Sequence, residues 1–235
     1  MTYERLSVEE EIMSANERMA LKVRERLDSA GVFAINLMAS PGAGKTTLIL
    51  KTIQDLAPEL RLAVIEGDTA PVTIDADKVL AAGVPAVQIN TGGGCHLDAG
   101  MMAQGLQQLP LEALDLVIVE NVGNLICPAA FKLGSHLNVL IASIPEGDDK
   151  PYKYPNIYRH LHVLLVSKID LLPYIQFDMD YFRRGVEMLN PGLVTFPLSA
   201  MTGEGISAWT GWLKSQVIGS KKDYSPSLGL PDGHQ

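Results

Sequence analysis

The stretch Ala39-Ser40-Pro41-Gly42-Ala43-Gly44-Lys45-Thr46-Thr47 decides the fold of this chain. A continuous apolar run at residues 32–38 leads into it, and a helix is predicted directly after it at residues 47–56. The stretch matches the phosphate-loop pattern G-x-x-x-x-G-K-[ST], except that Ala39 replaces the first glycine. Because a strand, a small-residue loop and a helix follow one another here, the sequence predicts a P-loop nucleotide-binding fold.

The chemistry of such a loop explains its residue types. Small residues let successive backbone N–H groups point at phosphate oxygens, and the helix N-terminus adds a partial positive charge. Lys45 is predicted to reach the β- and γ-phosphates, and the Thr46 hydroxyl to bind Mg²⁺. Alanine fits at position 39 if its φ angle is negative. The predicted nucleotide-binding residues of the loop are Gly42, Ala43, Gly44, Lys45, Thr46 and Thr47.

Short apolar runs alternate with helical segments along the rest of the chain. The runs are continuous, as is typical of strands buried on both faces of a parallel sheet. This order predicts an α/β P-loop NTPase with a doubly wound, mostly parallel sheet of about seven strands flanked by helices. The predicted strands are 32–38, 62–65, 86–89, 116–119, 137–142, 163–166 and 193–196, and helices are predicted at 47–56, 77–82 and 98–109.

Length and composition limit the domain organisation and the partners. The 235 residues, 47% of them hydrophobic, suit one α/β domain with appendages. We predict an N-terminal helical segment at 1–31, which packs on the domain or docks a partner, the P-loop domain at 32–218 and a flexible tail at 219–235. The net charge of −8 without a Lys/Arg run argues against binding nucleic acid or a membrane. No apolar stretch could span a bilayer and no signal core precedes the domain, so a cytoplasmic location is predicted.

A second motif is predicted to recognise the base of the nucleotide. The strand at 163–166 runs into Ser167-Lys168-Ile169-Asp170, where GTPases place [NT]-K-x-D. An Asp170 carboxylate would accept hydrogen bonds from guanine N1 and N2, which adenine cannot donate, and the Lys168 stem would lie over the base. Ser167 replaces the usual Asn and weakens one supporting hydrogen bond. The strand at 193–196 is followed by Ser199-Ala200, which resembles the GTPase element behind guanine O6. Together these elements favour GTP over ATP.

The strand at 116–119 leads to the expected switch. It ends in Glu120-Asn121-Val122-Gly123, where ordinary GTPases have D-x-x-G. Glu120 would hold Mg²⁺ through water and the Gly123 N–H would touch the γ-phosphate, so Lys45, Thr46, Glu120 and Gly123 form the predicted catalytic set. Asp68 and Asp75 are further Mg²⁺ candidates, with a solvated carboxylate and a helix N-cap as the equally weighted alternatives. No Gln occupies the usual water-positioning place, which predicts slow intrinsic hydrolysis.

Cys95, His96 and Cys127 form a candidate metal site. Both cysteines follow parallel strands and should meet at one edge of the sheet, although their spacing fits no zinc finger. A helix predicted just after Cys95 should lower the pKa of its thiol. Two thiolates and an imidazole suit Zn²⁺ or Ni²⁺, and a two-fold dimer would supply further ligands. The alternative is two small buried cysteines and a surface histidine. Because Cys127 lies four residues past Gly123, the switch would displace a metal ligand.

These motifs together resemble the HypB family, GTPases that deliver nickel during maturation of nickel–iron hydrogenase. The resemblance covers roughly residues 5 to 218. It rests on the phosphate loop, on Gly93-Gly94-Cys95-His96-Leu97, on Glu120-Asn121-Val122-Gly123-Asn124-Leu125 with Cys127-Pro128, on Glu146-Gly147-Asp148-Asp149-Lys150-Pro151 with Lys153-Tyr154-Pro155, and on Ser167-Lys168-Ile169-Asp170-Leu171-Leu172-Pro173-Tyr174.

The resemblance implies a dimeric, nucleotide-switched GTPase with GTP/GDP, Mg²⁺ and Ni²⁺ or Zn²⁺ as ligands. It places the metal at the dimer interface and Lys150 or Lys153 near the nucleotide or that interface. It also implies a HypA-type metallochaperone and the hydrogenase large subunit as partners. Unlike some relatives, residues 1–31 contain no Cys or His, so no additional nickel site is expected there.

Three other functions stay open from the sequence. A urease-accessory nickel GTPase should carry Cys-Pro-His in one loop, whereas Ala129 follows Cys127-Pro128 here. A P-loop small-molecule kinase would use Glu120 or Asp68 as its base and need no metal switch. A metal-responsive binding protein would use the nucleotide only structurally. The preferred hypothesis is a GTP-hydrolysing nickel metallochaperone.

Overall fold

The computed structural model of the chain describes residues 8–69 and 74–223, and it confirms the predicted α/β fold. One sheet holds all seven strands: β1 (Phe33–Ala39), β2 (Leu62–Asp68), β3 (Ala86–Asn90), β4 (Leu116–Glu120), β5 (Leu137–Ser143), β6 (Val163–Ser167) and β7 (Val194–Leu198). Within those residues the α-helices are α1 (Val8–Ala30), α2 (Lys45–Leu56), α3 (Ile74–Ala81), α4 (Ala99–Gln107), α5 (Lys150–Lys153), α6 (Pro155–Arg159), α7 (Met179–Leu189) and α8 (Ile206–Asp223).

The strand order places the phosphate loop at the centre of the sheet. The order is β3-β2-β4-β1-β5-β6-β7, and every pairing is parallel. Strand β1 therefore lies between β4 and β5, where the order reverses. In open parallel sheets, ligands bind beyond the carboxyl ends of the strands at such a point. The loop after β1 and the predicted switch segment after β4 consequently lie side by side at this end of the sheet.

Helices cover both faces of the sheet, as a doubly wound fold requires. Every residue of β1 is buried, in agreement with its continuous apolar sequence. On one face α2 and α8 pack through residues such as Ile53 and Trp209. On the other face α1 and α4 contribute Leu27 and Leu106, while α6 and α7 pack beside them. The core thus forms two apolar layers that fix the strand ends carrying the candidate site.

Two predicted segment boundaries can be compared with the helices at the ends of the described chain. Helix α1 accounts for most of the predicted segment 1–31, and residues 1–7 lie outside the described range. The predicted tail boundary at 219 falls inside α8, which continues because Val217 is fully buried against the core. The remaining predicted tail, 224–235, lies outside the description. None of the described helices combines the length and the apolar character needed to cross a bilayer.

A buried carboxylate joins the opposite edge of the sheet to α8. Asp115, directly before β4, accepts hydrogen bonds from the Arg61 backbone N–H at 2.7 Å and from the Arg61 guanidinium at 2.7 and 3.0 Å. It also pairs with the Lys221 ammonium. The Arg61 hydrogen bond, followed by Lys221, holds the pKa of Asp115 well below its ordinary value despite burial. The ionised carboxylate therefore stabilises the folded chain.

We expect the stability of the protein to fall in acid because of Asp115. A lowered folded pKa means that the contribution is complete above the unfolded value of about 3.9 and disappears as pH falls through the folded pKa. Asp115→Asn should lose about 2 kcal/mol of unfolding free energy at pH 7 and flatten the pH dependence between about pH 5 and 3. Urea unfolding followed by the fluorescence of Trp209 and Trp212 measures both.

Glu59→Gln is the control for this prediction. Glu59 pairs with Lys214 at the surface, where its side chain is 58% exposed. Its loss should change the unfolding free energy by less than about 1 kcal/mol. Equal pH dependence in the wild type and Asp115→Asn would contradict the assignment.

Candidate functional site

The phosphate loop has an open helix N-terminus at its end. Strand β1 ends at Ala39 and α2 begins at Lys45, so the loop turns within five residues. Gly44 caps α2 with φ 98° and ψ 26°, a left-handed conformation that favours glycine, and it offers no side chain to cap the first-turn N–H groups. The only non-glycine residue with positive φ in the described chain is Lys168, so Ala39 meets the condition for replacing glycine. The first-turn N–H groups can receive an anion.

Hard oxygen donors gather beside the loop. The Thr46 hydroxyl donates to Glu120 Oε1 at 3.1 Å, and Glu120 is buried at the end of β4. Glu66 of β2 pairs in register with Glu120 and is also buried, so two carboxylates lie on neighbouring strands at this end of the sheet. A hydroxyl and carboxylates are the donors that Mg²⁺ prefers. The residues therefore fit a magnesium site, and Glu66 is a candidate that the motif search missed.

The two aspartates singled out from the sequence lie further along the chain. Asp68 ends β2, pairs in register with Asn90 of β3 and accepts the Thr69 N–H at 2.6 Å. Asp75 belongs to α3, and its side chain lies outside the described part of the structure. Within the sheet register, Glu66 is the β2 carboxylate directly opposite Glu120.

The switch segment lies against the phosphate loop. A Cβ atom added at Gly123 would come within 3.1 Å of both Pro41 Cα and Pro41 N, so a side chain there would require the backbones to separate. From the other side, the Ser40 hydroxyl donates to Glu146 at 2.7 Å, and Glu146 also closes a capping box with Ser143. The S-x-x-E spacing of Ser143 and Glu146 is a signal that could have revealed this support.

The residues predicted to recognise the base also lie against the loop. Lys168 Nζ donates to the Gly42 carbonyl at 2.7 Å, and the Ser167 hydroxyl donates to the Ala43 carbonyl at 3.1 Å. Ser167 thus makes the cross-loop bond despite replacing asparagine. Asp170 Oδ1 is buried and has no hydrogen-bond partner among the described residues. Such an atom normally has one. It is an acceptor available to a ligand.

The last predicted base element forms a tight turn. Ser199 is fully buried, and its hydroxyl oxygen accepts the Met201 and Thr202 N–H groups at 3.2 Å each. Ala200 follows Ser199 directly, after β7 ends. Lys150 and Lys153, by contrast, both pair with Asp149, at 3.7 and 2.5 Å. Both lysine side chains thus form ion pairs with a neighbouring carboxylate.

Cys95, His96 and Cys127 come together as predicted. Their ligand atoms all lie within 4.8 Å of one another. The two Sγ atoms are 2.7 Å apart, too far for a disulfide, and both thiols are free. Cys95 Sγ lies 3.6 Å from His96 Nδ1. Burial lowers the pKa of His96, which favours the neutral imidazole that binds metals. The donor set suits a thiophilic metal such as Zn²⁺ or Ni²⁺.

The prediction of a lowered Cys95 pKa is wrong. The hydrogen bond with the Cys127 thiol, followed by burial, raises the pKa of Cys95. Helix α4 begins only at Ala99, and its N-cap is Asp98, so Cys95 lies before the helix. The helix dipole acts mainly within the first turn and therefore contributes little at this thiol.

Asparagines connect the metal ligands to the switch segment. Asn121, fully buried after Glu120, accepts the Leu97 N–H at 3.0 Å and donates to Asn36 of β1 at 3.1 Å. Asn124 Nδ2 donates to the Cys95 carbonyl at 3.2 Å. Sequence motifs predict none of these three bonds, because each joins positions more than 20 residues apart. The segment 120–127 thus contacts the phosphate loop and the Cys95–His96 loop, and it also carries Cys127.

Comparison with known proteins identifies relatives of this chain. Residues 33–196 match the family model described as CobW/HypB/UreG, nucleotide-binding domain. The hydrogenase maturation factor HypB of Azotobacter chroococcum mcd 1 is 45% identical over 90% of this chain and 69% of that protein. HypB of Escherichia coli (strain K12) is 43% identical over 90% of this chain and 72% of that protein. A crystal structure of Helicobacter pylori HypB in complex with nickel has a TM-score of 0.82 and 32% identity, covering 92% of this chain and all of that one.

Proposed function

Because this chain belongs to the HypB group of the CobW/HypB/UreG nucleotide-binding family, we propose that it is a GTP-hydrolysing metallochaperone that inserts nickel during hydrogenase maturation. One observation carries the proposal. The segment from Glu120 to Cys127 lies against the phosphate loop at Gly123 and ends in a ligand of the Cys95–His96–Cys127 cluster. A change at the γ-phosphate can therefore reach the metal site through a single stretch of backbone.

The nucleotide half is a GTPase site. The α2 N-terminus and Lys45 hold the phosphates, and Thr46 and Glu120, with Glu66 alongside, would hold Mg²⁺. When bound, Mg²⁺ neutralises charge on the β- and γ-phosphate oxygens. The buried Oδ1 of Asp170 supports guanine selection, since guanine supplies N–H donors that the carboxylate otherwise lacks. The backbone after Ser199 and Ala200 would complete the base site.

Two connections couple the nucleotide to the metal. The first runs along the chain from Gly123 to Cys127. The second runs through Asn121, which follows the Glu120 carboxylate and holds the Leu97 N–H directly after His96. Movement of the switch segment would therefore shift both cysteine-bearing loops. Coupled binding requires that nickel affinity differ between the GDP and GTP states.

Three ligands leave a metal coordination shell incomplete. We therefore propose that a second copy of the chain supplies additional ligands across a two-fold axis. Nickel is the cargo, and zinc competes for the same donors. A HypA-type metallochaperone and the hydrogenase large subunit are the proposed partners. A reducing compartment such as the cytoplasm suits the two free thiols.

Nickel titration tests this proposal. We expect the nickel affinity with GDP to differ about 10-fold from that with a non-hydrolysable GTP analogue, within the usual range of coupling free energies. Cys95→Ala and Cys127→Ala should each weaken nickel binding by more than about 10-fold, since even outer-shell changes cost that much. His160→Ala removes an exposed histidine outside the cluster and is the control. Equal affinities in both nucleotide states would overturn the coupling.

The alternatives make different predictions in the same preparation. A urease-accessory GTPase would pass nickel to a urease acceptor in preference to a hydrogenase large subunit. A small-molecule kinase would transfer the γ-phosphoryl group of GTP to an acceptor and would release no inorganic phosphate in its absence. The separate Cys95–His96 and Cys127 loops, which meet here without a Cys-Pro-His sequence, support the hydrogenase assignment.

A further inference from the structure

A single side chain on α1 hydrogen bonds to both loops that carry the metal ligands. Asn16 Oδ1 accepts the Ala99 N–H at 2.9 Å, and Asn16 Nδ2 donates to the Lys132 carbonyl at 3.0 Å. Asn16 is 8% exposed. A buried amide is costly unless its groups are paired, and here one oxygen and one N–H are used on two different loops.

Both bonds end close to the candidate ligands. Ala99 is the first residue of α4 and lies three residues past His96. Lys132 directly follows Phe131, whose ring centroid lies 4.0 Å from that of His96. Asn16 therefore supports the imidazole from two directions, through the chain that carries it and through the ring that packs against it.

The rest of α1 forms a fixed base for this side chain. Val23 and Leu27 are buried in the core on the same helical face as Asn16. Arg24 Nε donates to the Gly134 carbonyl at 2.9 Å, and its Nη2 bonds to Ser135. The helix is thus attached to the segment after Cys127 at several points. Asn16 differs from Arg24 because its one side chain joins that segment to the chain that carries Cys95 and His96.

We propose that Asn16 is a positioning residue of the metal site, an inference that rests on the proposed binding of nickel by Cys95, His96 and Cys127. Its amide fixes the distance between the Cys95–His96 half and the Cys127 half of the ligand set. A displacement of α1 would loosen both halves together. Asn16 therefore makes nickel affinity depend on the position of the N-terminal helix, independently of the nucleotide.

Two substitutions distinguish the contributions of the two Asn16 hydrogen bonds. Asn16→Ala removes both and should weaken nickel binding about 10-fold, the low end for residues that orient ligands. Asn16→Asp keeps an acceptor for the Ala99 N–H but cannot donate to Lys132, so its affinity should lie between those of the wild type and the alanine variant. The thiolate-to-nickel charge-transfer absorption should shift in both variants, whereas a purely structural role would leave the band of the folded protein unchanged.

Ser14→Ala is the matched control, because among the described residues the Ser14 hydroxyl pairs with Arg18 on the exposed side of α1. It should bind nickel and hydrolyse GTP like the wild type. Wild-type affinity and an unshifted band in both Asn16 variants, with nickel binding lost in Cys127→Ala, would overturn this inference alone. Unchanged nickel binding in Cys127→Ala would instead overturn the proposed metal site and the inference with it.

Discussion

Replacing Lys45 by alanine is expected to lower the rate of GTP hydrolysis by about 10³-fold, the upper range for loss of one preorganised electrostatic contact. Lys45 begins α2 directly after the left-handed Gly44, at the end of the loop where the phosphates would lie. Its ammonium would neutralise charge that develops on the transferred phosphoryl group. Phosphate release from GTP, measured without any acceptor, gives the rate and also separates a GTPase from a kinase.

Lys51→Ala provides the matched control for Lys45→Ala. Lys51 lies on the same helix, and its ammonium bonds to Gln54 at 3.4 Å. Its loss should leave hydrolysis within about twofold of the wild-type rate, because a surface contact of this kind contributes little. Lys45→Ala should still bind nickel through the cysteine cluster. Wild-type hydrolysis in Lys45→Ala would show that this loop does not hold the reacting phosphates.

The sheet could be predicted because its strands are buried on both faces. Seven apolar runs became seven parallel strands, with ends displaced by a few residues. The largest difference is β2, which continues through Glu66 to Asp68 although its apolar run ends at residue 65. Ladder pairing with β3 and β4 maintains the strand beyond the apolar signal. Because Glu66 lies in this extension, a search for apolar runs does not identify it as a strand residue.

Part of the candidate site could be predicted from short sequence motifs, and part depends on contacts between residues far apart in the sequence. The phosphate loop, Asp170 and the cysteines belong to short motifs whose chemistry is readable from spacing. The bonds of Asn121 and Asn16 depend on which loops the fold brings together, and no local pattern encodes them. The Cys95 thiol shows the limit of a local pattern. The sequence predicts a helix start directly after Cys95, whereas α4 begins at Ala99, and spacing alone does not reveal that the neighbouring Cys127 thiol raises the pKa of Cys95.

Replacing Asp170 by alanine is expected to remove most of the preference for GTP over ATP. Guanine donates from N1 and N2, and two hydrogen bonds to a carboxylate stabilise the complex by about 4 kcal/mol together. That free energy corresponds to about 10³-fold in affinity. GTP binding should weaken by this factor, while ATP binding, which makes neither bond, should hardly change. Competition between the two nucleotides and a fluorescent GDP analogue measures both affinities.

The unpartnered Oδ1 of Asp170 allows a second measurement, which distinguishes base recognition from a structural role of this residue. This buried atom forms no hydrogen bond with the described protein, so removing it breaks no internal bond and relieves the cost of burying it. Nucleotide-free Asp170→Ala should therefore unfold at the wild-type temperature or above it, and only GTP should fail to raise that temperature further. Asp180→Asn removes an exposed carboxylate paired with Arg183 and should keep the full GTP preference. A lowered unfolding temperature with unchanged GTP preference would assign Asp170 to the stability of the loop after β6 and not to the base.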